Sequence, residues 1–544
     1  MQGRIAPLEV ALLMKNAFPL TFIHLIRGLM VCWMAVGLLA CQPPASPPRP
    51  TTTPIAQQPT ATPSQTSAPA TTSPTALATM TAAETPAPTS TATPTTTAIA
   101  PPTATPQPTQ EAPVQVYETT ITLPSYPVEN YLQAQLDPTY NMPVFYFDRA
   151  QFEADAPTPE PVDYRGVVLE NDYLRLTFLP ELGGRLYSAV IKSTGQEVFY
   201  SNKVVKPSRY GILQPIEANW WLATGGLEWS YPTQEHGYRW SAPWLVSVSR
   251  SPDGATVTLS DLEPGRVGVS VDVTLGAESA LFTVKPRLIN SGSRAVPVQF
   301  WTNAVLALAP DTMSPQTQFT IPVEQITVHS RGEEGWAMPG EGEPAPWPVI
   351  DNRDLRFYDR WANHLGFFIP YMDVPFMGAY NPETDLGIAR LVEPGVVPGN
   401  KLFAFSTGFQ DRSYTDDGSQ YFEIWGGVNT GFWPEDDLLV APGEDLAWEE
   451  GWWPLAGLGG LTWATDSAAI HLASSGNRYT LSAQFARPGE GRLTILGGET
   501  TILSEAFSAD PASPLRWQFE AASGPIQVEI VDGDGVVLLS YQGD

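Results

Sequence analysis

Beyond residue 114 the chain is built from short runs in which apolar and polar residues alternate with a period of two, each closed by Gly, Pro, Asn or Asp. In YLRLTFLPELGG, Leu174, Leu176 and Phe178 fall on one face and Arg175 and Thr177 on the other, a spacing that suits a strand and not a helix. Similar runs recur as GRLYSAVIK, ATVTLSD, VGVSVDVTL, ALFTVKPRLIN, LGFFIPY, KLFAFST and YFEIWGG, with turn signals such as SPDG and NSGS between them. No comparably long segment carries a capped amphipathic helical pattern. Many antiparallel strands at this spacing predict an all-β fold, with a large sandwich over about 115–462. A second set of runs (NRYTLSAQFA, RLTILGG, PLRWQFEA, PIQVEIVDG, GVVLLSYQ) has its own alternation and predicts a separate small β-sandwich over 465–544.

The preceding segment cannot fold this way. From Gln42 to Pro113 it is almost wholly Pro, Thr, Ala, Ser and Gln, too little apolar surface to offset the entropy of ordering the chain. Residues 41–114 are therefore expected to form a disordered Pro/Thr-rich stalk, reaching on the order of 200 Å if stiff. Its Ser/Thr density suits O-glycosylation and a bare spacer equally. Ahead of the stalk, Gly28 to Ala40 (GLMVCWMAVGLLA) follows Lys15 and Arg27, which matches the charged and apolar regions of a secretory signal over 1–40. The run is shorter than a comfortable membrane span. Leu38-Leu39-Ala40-Cys41 resembles the lipobox of bacterial lipoproteins. That resemblance implies cleavage before Cys41, lipidation of Cys41, and a cell-envelope protein held to the membrane by its lipid and facing outward. An uncleaved N-terminal anchor is the competing expectation.

Net charge and cysteine usage narrow the partners. A formal charge of -28 leaves few basic residues to neutralise phosphates, so nucleic acid is set aside. The two cysteines, Cys32 and Cys41, both lie in the N-terminal apolar region and not in the folded part, which excludes a disulfide framework or a Cys-based zinc site downstream. With five histidines in the chain, no metal and no cofactor are expected.

One stretch concentrates chemistry. NWWLATGGLEWSYPTQEHGYRWSAPW sets Trp220, Trp221, Trp229 and Tyr231 beside Glu228, Glu235 and His236. Aromatic faces suit the C–H faces of sugar rings and carboxylates suit their hydroxyls, so carbohydrate is the expected ligand class. For any single aromatic, a place in the core is the more ordinary outcome. Glu228 follows a Gly-Gly turn and is preferred; Glu235 sits in a polar stretch and is expected to be solvated. Further on, Glu423 interrupts the strand-like run YFEIWGG. If Phe422 and Ile424 point into the core, Glu423 faces the other side of the sheet, with Trp425 on the same side. An ordinary outward-facing Glu is the alternative.

The blocks VLENDYLRL (from Val168), LPELGGRL (from Leu179), Val205-Lys206-Pro207 and Gly225-Gly226-Leu227-Glu228-Trp229 resemble successive blocks of an uncharacterised domain-of-unknown-function family within the galactose mutarotase-like superfamily. The resemblance runs from about Val116 to Gly460 and implies a β-supersandwich with a carbohydrate-facing groove. It also implies a histidine acid and a glutamate base, and Glu423 resembles that base. The chain departs from the pattern at the acid: Asn303, closing Pro297-Val298-Gln299-Phe300-Trp301-Thr302-Asn303, stands in the histidine's place, and Thr224 stands where a substrate-binding histidine is found. An amide cannot donate and recover a proton as imidazole does, so ordinary mutarotation would need His236 to act from another loop.

Three functions follow as expectations. The first is a sugar-active enzyme, a glycoside hydrolase or an epimerase-like protein, with Glu228 and Glu423 as acid and base, His236 as helper, Asn303 in the substrate site, and Arg185 or Lys401 orienting hydroxyls or an acidic substituent. A glycosidase would hold its carboxyls about 5–5.5 Å or about 6.5–9.5 Å apart. The second is a noncatalytic glycan-capture module using Trp220, Trp221, Trp229, Tyr231 and Trp425 as platforms. The third is a structural envelope protein.

Overall fold

The computed structural model describes residues 112–209, 216–369, 372–407, 412–522 and 524–543. The signal expected over 1–40, Cys41, and the stalk as far as residue 111 lie outside the described residues. Among the described residues, one seven-residue helix, Arg149–Asp155, and four single 3-10 turns are the helical elements; the rest of the regular structure is strand.

Two large sheets share one core. In the first, of 13 strands, the middle runs Gln325–Arg331, Leu365–Phe368, Gly399–Ala404, Phe422–Gly427, Trp301–Leu306, Trp220–Ser230 and Ser201–Arg209 in order of neighbours. The second has nine strands and includes Gly254–Asp261, Val267–Gly276, Phe282–Asn290, Glu450–Ala456 and Leu386–Leu391. The alternation read from the sequence is what drives this layering. Val267, Val269, Val271, Val273 and Leu275 are at most 1% exposed and enter the core, each worth roughly 1.5–3 kcal/mol relative to exposure. Thr274 and Asp272 point the other way and bond Thr256 and Thr258 of the adjacent strand. Strands from Trp463 to Gly543 form two four-stranded sheets around a separate core of Ile470, Leu481, Leu493, Ile495, Val528 and Ile530. The architecture is thus all-β, a supersandwich followed by a small sandwich.

The middle of the 13-stranded sheet obeys a different rule. Every residue of Trp220–Ser230, Trp301–Leu306 and Phe422–Gly427 is buried. One face of these strands, with the neighbouring Gly399–Ala404, delivers Leu227, Ala304, Leu402 and Ile424 to the core. The other is covered by aromatics, Trp301, Phe368, Trp425 and Phe432 at one end and Tyr200, Phe405 and Tyr421 at the other. Such strands read as continuous apolar runs rather than alternating ones.

Behind this sheet an ion pair within the nine-stranded sheet reaches across to it by hydrogen bonds. Arg390 Nε lies 2.8 Å from Glu450 Oε2, neither side chain exposed, with Arg390 Nη1 donating to Asn400 Oδ1 at 2.5 Å. Thr302 Oγ and Trp448 Nε1 also donate to Glu450, at 3.1 and 3.0 Å.

Gly225 and Gly226 have φ of +92° and +78°, and a Cβ on them would lie 2.0 Å from Tyr200 O and 2.5 Å from Leu186 O. Only glycine fits there. The pairing with the Ser201–Arg209 strand shifts register at this point, between Ser201 and Lys206.

Candidate functional site

On the face away from the core, cross-strand pairing sets Lys401, Trp425, Asn303 and Glu228 in one row over four neighbouring strands. Glu423, two residues before Trp425, shares that face, because Phe422 and Ile424 enter the core. Glu228 and Glu423 are two strands and two residues apart, which separates their Cα atoms by roughly 12 Å. Both line a cavity of ≈ 10 Å³ together with Thr224, Asn202, Trp221 and Tyr421, room on the order of one water molecule.

His236 reaches this face from the loop after Trp220–Ser230, which Tyr238 N closes by bonding Tyr231 O at 2.9 Å. Its ring stacks flat on Trp221, with centroids 4.1 Å apart, and meets Trp425 edge-on at 5.2 Å. Its Nδ1 lies 2.6 Å from Glu228 Oε1. Asn303 Nδ2 donates to the same oxygen at 3.0 Å, and Arg185 Nη1 stands 3.6 Å from Glu228 Oε2. Burial alone would push the Glu228 carboxyl up; His236, Arg185 and Asn303 outweigh it and hold Glu228 below its ordinary value. An ionised Glu228 accepts only, which fixes the His236 proton on Nδ1.

Glu423 is shifted the opposite way. Burial pushes it up, with Glu228 adding to the effect and His236 and Lys401 opposing it. Its Oε2 accepts from Trp425 Nε1 at 2.9 Å. Lys401 packs its ammonium 4.5 Å from the Trp425 ring and 4.9 Å from Phe432, and burial brings it down to about 8.

Several residues proposed from the sequence sit elsewhere. Trp229 and Tyr231 point into the core, Trp229 bonding Gly184 O at 3.0 Å and Tyr231 bonding Asp261. Trp220 stacks on Phe147 and donates to Phe145 O at 2.8 Å. None of these three offers a face to a ligand, so the platform role passes from them; Trp221 and Trp425 remain on the cluster. Arg185 is buried and directs its guanidinium at Leu182 O (2.9 Å), Gly225 O (3.1 Å) and Trp240 O (3.4 Å), which ties the Gly-Gly segment to its surroundings, and it backs Glu228 from outside the cavity lining. Glu235 is only half-exposed, and burial, the largest influence, raises its carboxyl against the fields of His236 and Lys401. His329, Tyr421 and Phe432 join the cluster face without having been singled out, since nothing in their local sequence departs from ordinary strand or loop.

The fold and this cluster define a class: a two-sheet β-supersandwich with a carboxylate–imidazole pair and a second, protonatable carboxyl on the covered face of one sheet. Residues 141–454, more than half of the chain, match the family described as Domain of unknown function (DUF5107), and the chain belongs to that family. It is similar to a TPR-domain containing protein from Parabacteroides distasonis, at 24% identity and a TM-score of 0.51 over 63% of this chain. The chain spans about half, 55%, of the length of that protein. It is also similar to a galactose mutarotase-like protein from Clostridium acetobutylicum (10% identity, 54% of this chain and 96% of that one, TM-score 0.36). A galactose mutarotase related enzyme from Lactobacillus acidophilus matches at 11% identity over 54% of this chain and 97% of that one, TM-score 0.36. At these identities the likeness concerns the fold alone.

Proposed function

We propose that the chain acts at the anomeric centre of a sugar, with Glu423 as the proton-holding acid and His236, oriented by Glu228, as the base. His236 takes the proton of the anomeric hydroxyl while Glu423 delivers one to the ring oxygen; the ring bond opens to an aldehyde and recloses from either face. On a glycoside the same pair serves leaving-group protonation and water activation. Asn303 fills the position where the resemblance placed the acid, and here it steadies Glu228. Entry of a sugar ring requires the lining of the small cavity to part.

The observation that carries this reading is the divergence of two carboxyls around one cavity, Glu228 held ionised and Glu423 pushed toward the protonated form. Environments that push paired carboxyls apart assign acid and base roles. The tightness of the cavity favours a second reading, a glycan-capture protein without turnover. Polarimetry of anomer exchange over a panel of aldoses, with reducing-end release from oligosaccharides, separates the two. The acid/base reading expects rates to fall about 10²–10⁴-fold in E423Q and H236A. Glycan binding with no turnover supports capture, and absence of both sinks the carbohydrate assignment.

We propose further that the protein is exported and lipid-anchored through Cys41 on the outer side of the cell envelope. The lipobox-like residues before Cys41 and the Pro/Thr-rich segment after it support this. Metabolic labelling with a fatty acid is expected to mark the wild-type chain and not C41S; equal labelling of both would overturn it.

A further inference from the structure

On the same sheet face lies a buried amine that the acid/base pair leaves without a task. Lys401 is 3% exposed, and its ammonium makes no hydrogen bond or ion pair among the described residues. Three rings surround it, Trp425 at 4.5 Å, Phe432 at 4.9 Å and Phe403 at 5.7 Å. Phe368, its cross-strand partner, and His329, whose buried Nδ1 also lacks a partner, close the apolar end. Glu423 sits diagonally across the strand pair, opposite Phe403, about 7–8 Å away by sheet geometry. Burial takes this ammonium out of water without a hydrogen bond, a cost that the ring faces and the fields of Glu423 and Glu235 offset only in part. Burial, the largest influence, moves Lys401 toward the neutral amine, and that is the form that attacks carbonyl carbon.

We propose that Lys401 forms a reversible imine with the carbonyl carbon of an open-chain sugar or another small aldehyde. The Nζ lone pair attacks the carbonyl carbon and the C=O pair moves to oxygen, giving a carbinolamine once that oxygen is protonated. The C–O bond then breaks as the nitrogen lone pair forms C=N. Both amine protons leave with the oxygen as one molecule of water, relayed by the Glu423 carboxyl. No oxidant or reductant is consumed, and hydrolysis retraces the path. The aromatic walls disfavour that hydrolysis by keeping water from the C=N bond. Imine formation with a supplied aldehyde does not depend on the turnover proposed above.

The test uses the full chain with glycolaldehyde and cyanoborohydride, which reduces imines to stable hydroxyethyl-lysine, followed by peptide mass mapping. The expected result is a Lys401 adduct forming about tenfold ahead of one at Lys203, whose side chain is 59% exposed. E423Q is expected to slow the Lys401 adduct about tenfold while its circular dichroism stays native. Adducts ordered by exposure, with Lys401 unmodified, overturn the proposal. Mapping of the wild-type chain decides this even if K401R does not fold. A Lys401 adduct in a chain that turns over no sugar upholds the imine and sinks the acid/base reading, whereas anomer exchange without the adduct does the reverse.

Discussion

The Nδ1 of His236 lies 2.6 Å from Oε1 of Glu228, although the two residues come from a loop and a strand and neither is more than 5% exposed. A carboxylate so placed sets the orientation and tautomer of the ring, and Arg185 and Asn303 hold the carboxylate in turn. Replacing it in E228Q leaves shape but removes charge, so Arg185 keeps no anionic partner. Chemical denaturation is expected to register a loss of about 3–5 kcal/mol. A loss below about 1 kcal/mol would mean that Glu228 is not the anchor described here.

The buried pair Arg390–Glu450 should behave non-additively. R390M leaves the Glu450 charge uncompensated between the sheets and is expected to cost about 3–5 kcal/mol, whereas R390M/E450L recovers most of it. Urea midpoints of the singles and the double check this. A double variant as unstable as the sum of its parts would refute the pairing.

His329 gives the protein an acid-sensitive term. Burial, its main cause, with Lys401 adding, brings its folded value down from 6.5 to about 3. The unfolded chain therefore takes up this proton first. The contribution is complete above the unfolded value and declines as pH falls from 6.5 toward about 3, at up to about 1.4 kcal/mol per pH unit. H329F should flatten the decline between about pH 6 and about pH 4 in denaturant titrations; parallel curves for the two chains would contradict it.

Gly225→Ala forces a Cβ to within 2.0 Å of Tyr200 O at a φ of +92°. The strand must leave its place, and with it Glu228 three residues on. A loss of about 3 kcal/mol or more is expected, read as faster proteolysis and a lower soluble yield. Native-like stability would show that the strand relaxes freely here.

What the sequence discloses and what it hides divide along the same physical line. Where a strand is buried on one face, as in Val267–Gly276, alternation names the inward residues directly. The parity of Glu423 was legible for the same reason, because Phe422 and Ile424 bracket it. The Trp220–Ser230 strand is buried throughout, so periodicity could not separate Trp229, which faces the core, from Trp221, which faces the cluster. In sequence Arg185 reads as a ligand-facing cation, because its backbone carbonyl partners come from segments up to 55 residues away. Glu235 reads as solvated in its polar stretch, yet the loop partly buries it within the fields of Lys401 and Glu423. Nor does any local pattern reveal that residues 301–306 lie between strands near 225 and 424.

The Trp301–Leu306 strand presents Asn303 to the cluster on one side and Thr302 to the Arg390–Glu450 pair on the other. One six-residue ribbon thus meets both the polar cluster and the buried ion pair. Evolution has little freedom to retune it, since any altered tilt is felt in both layers at once. Divergence in ligand preference between relatives should therefore accumulate in the loops that roof the sheet, with this ribbon kept nearly constant.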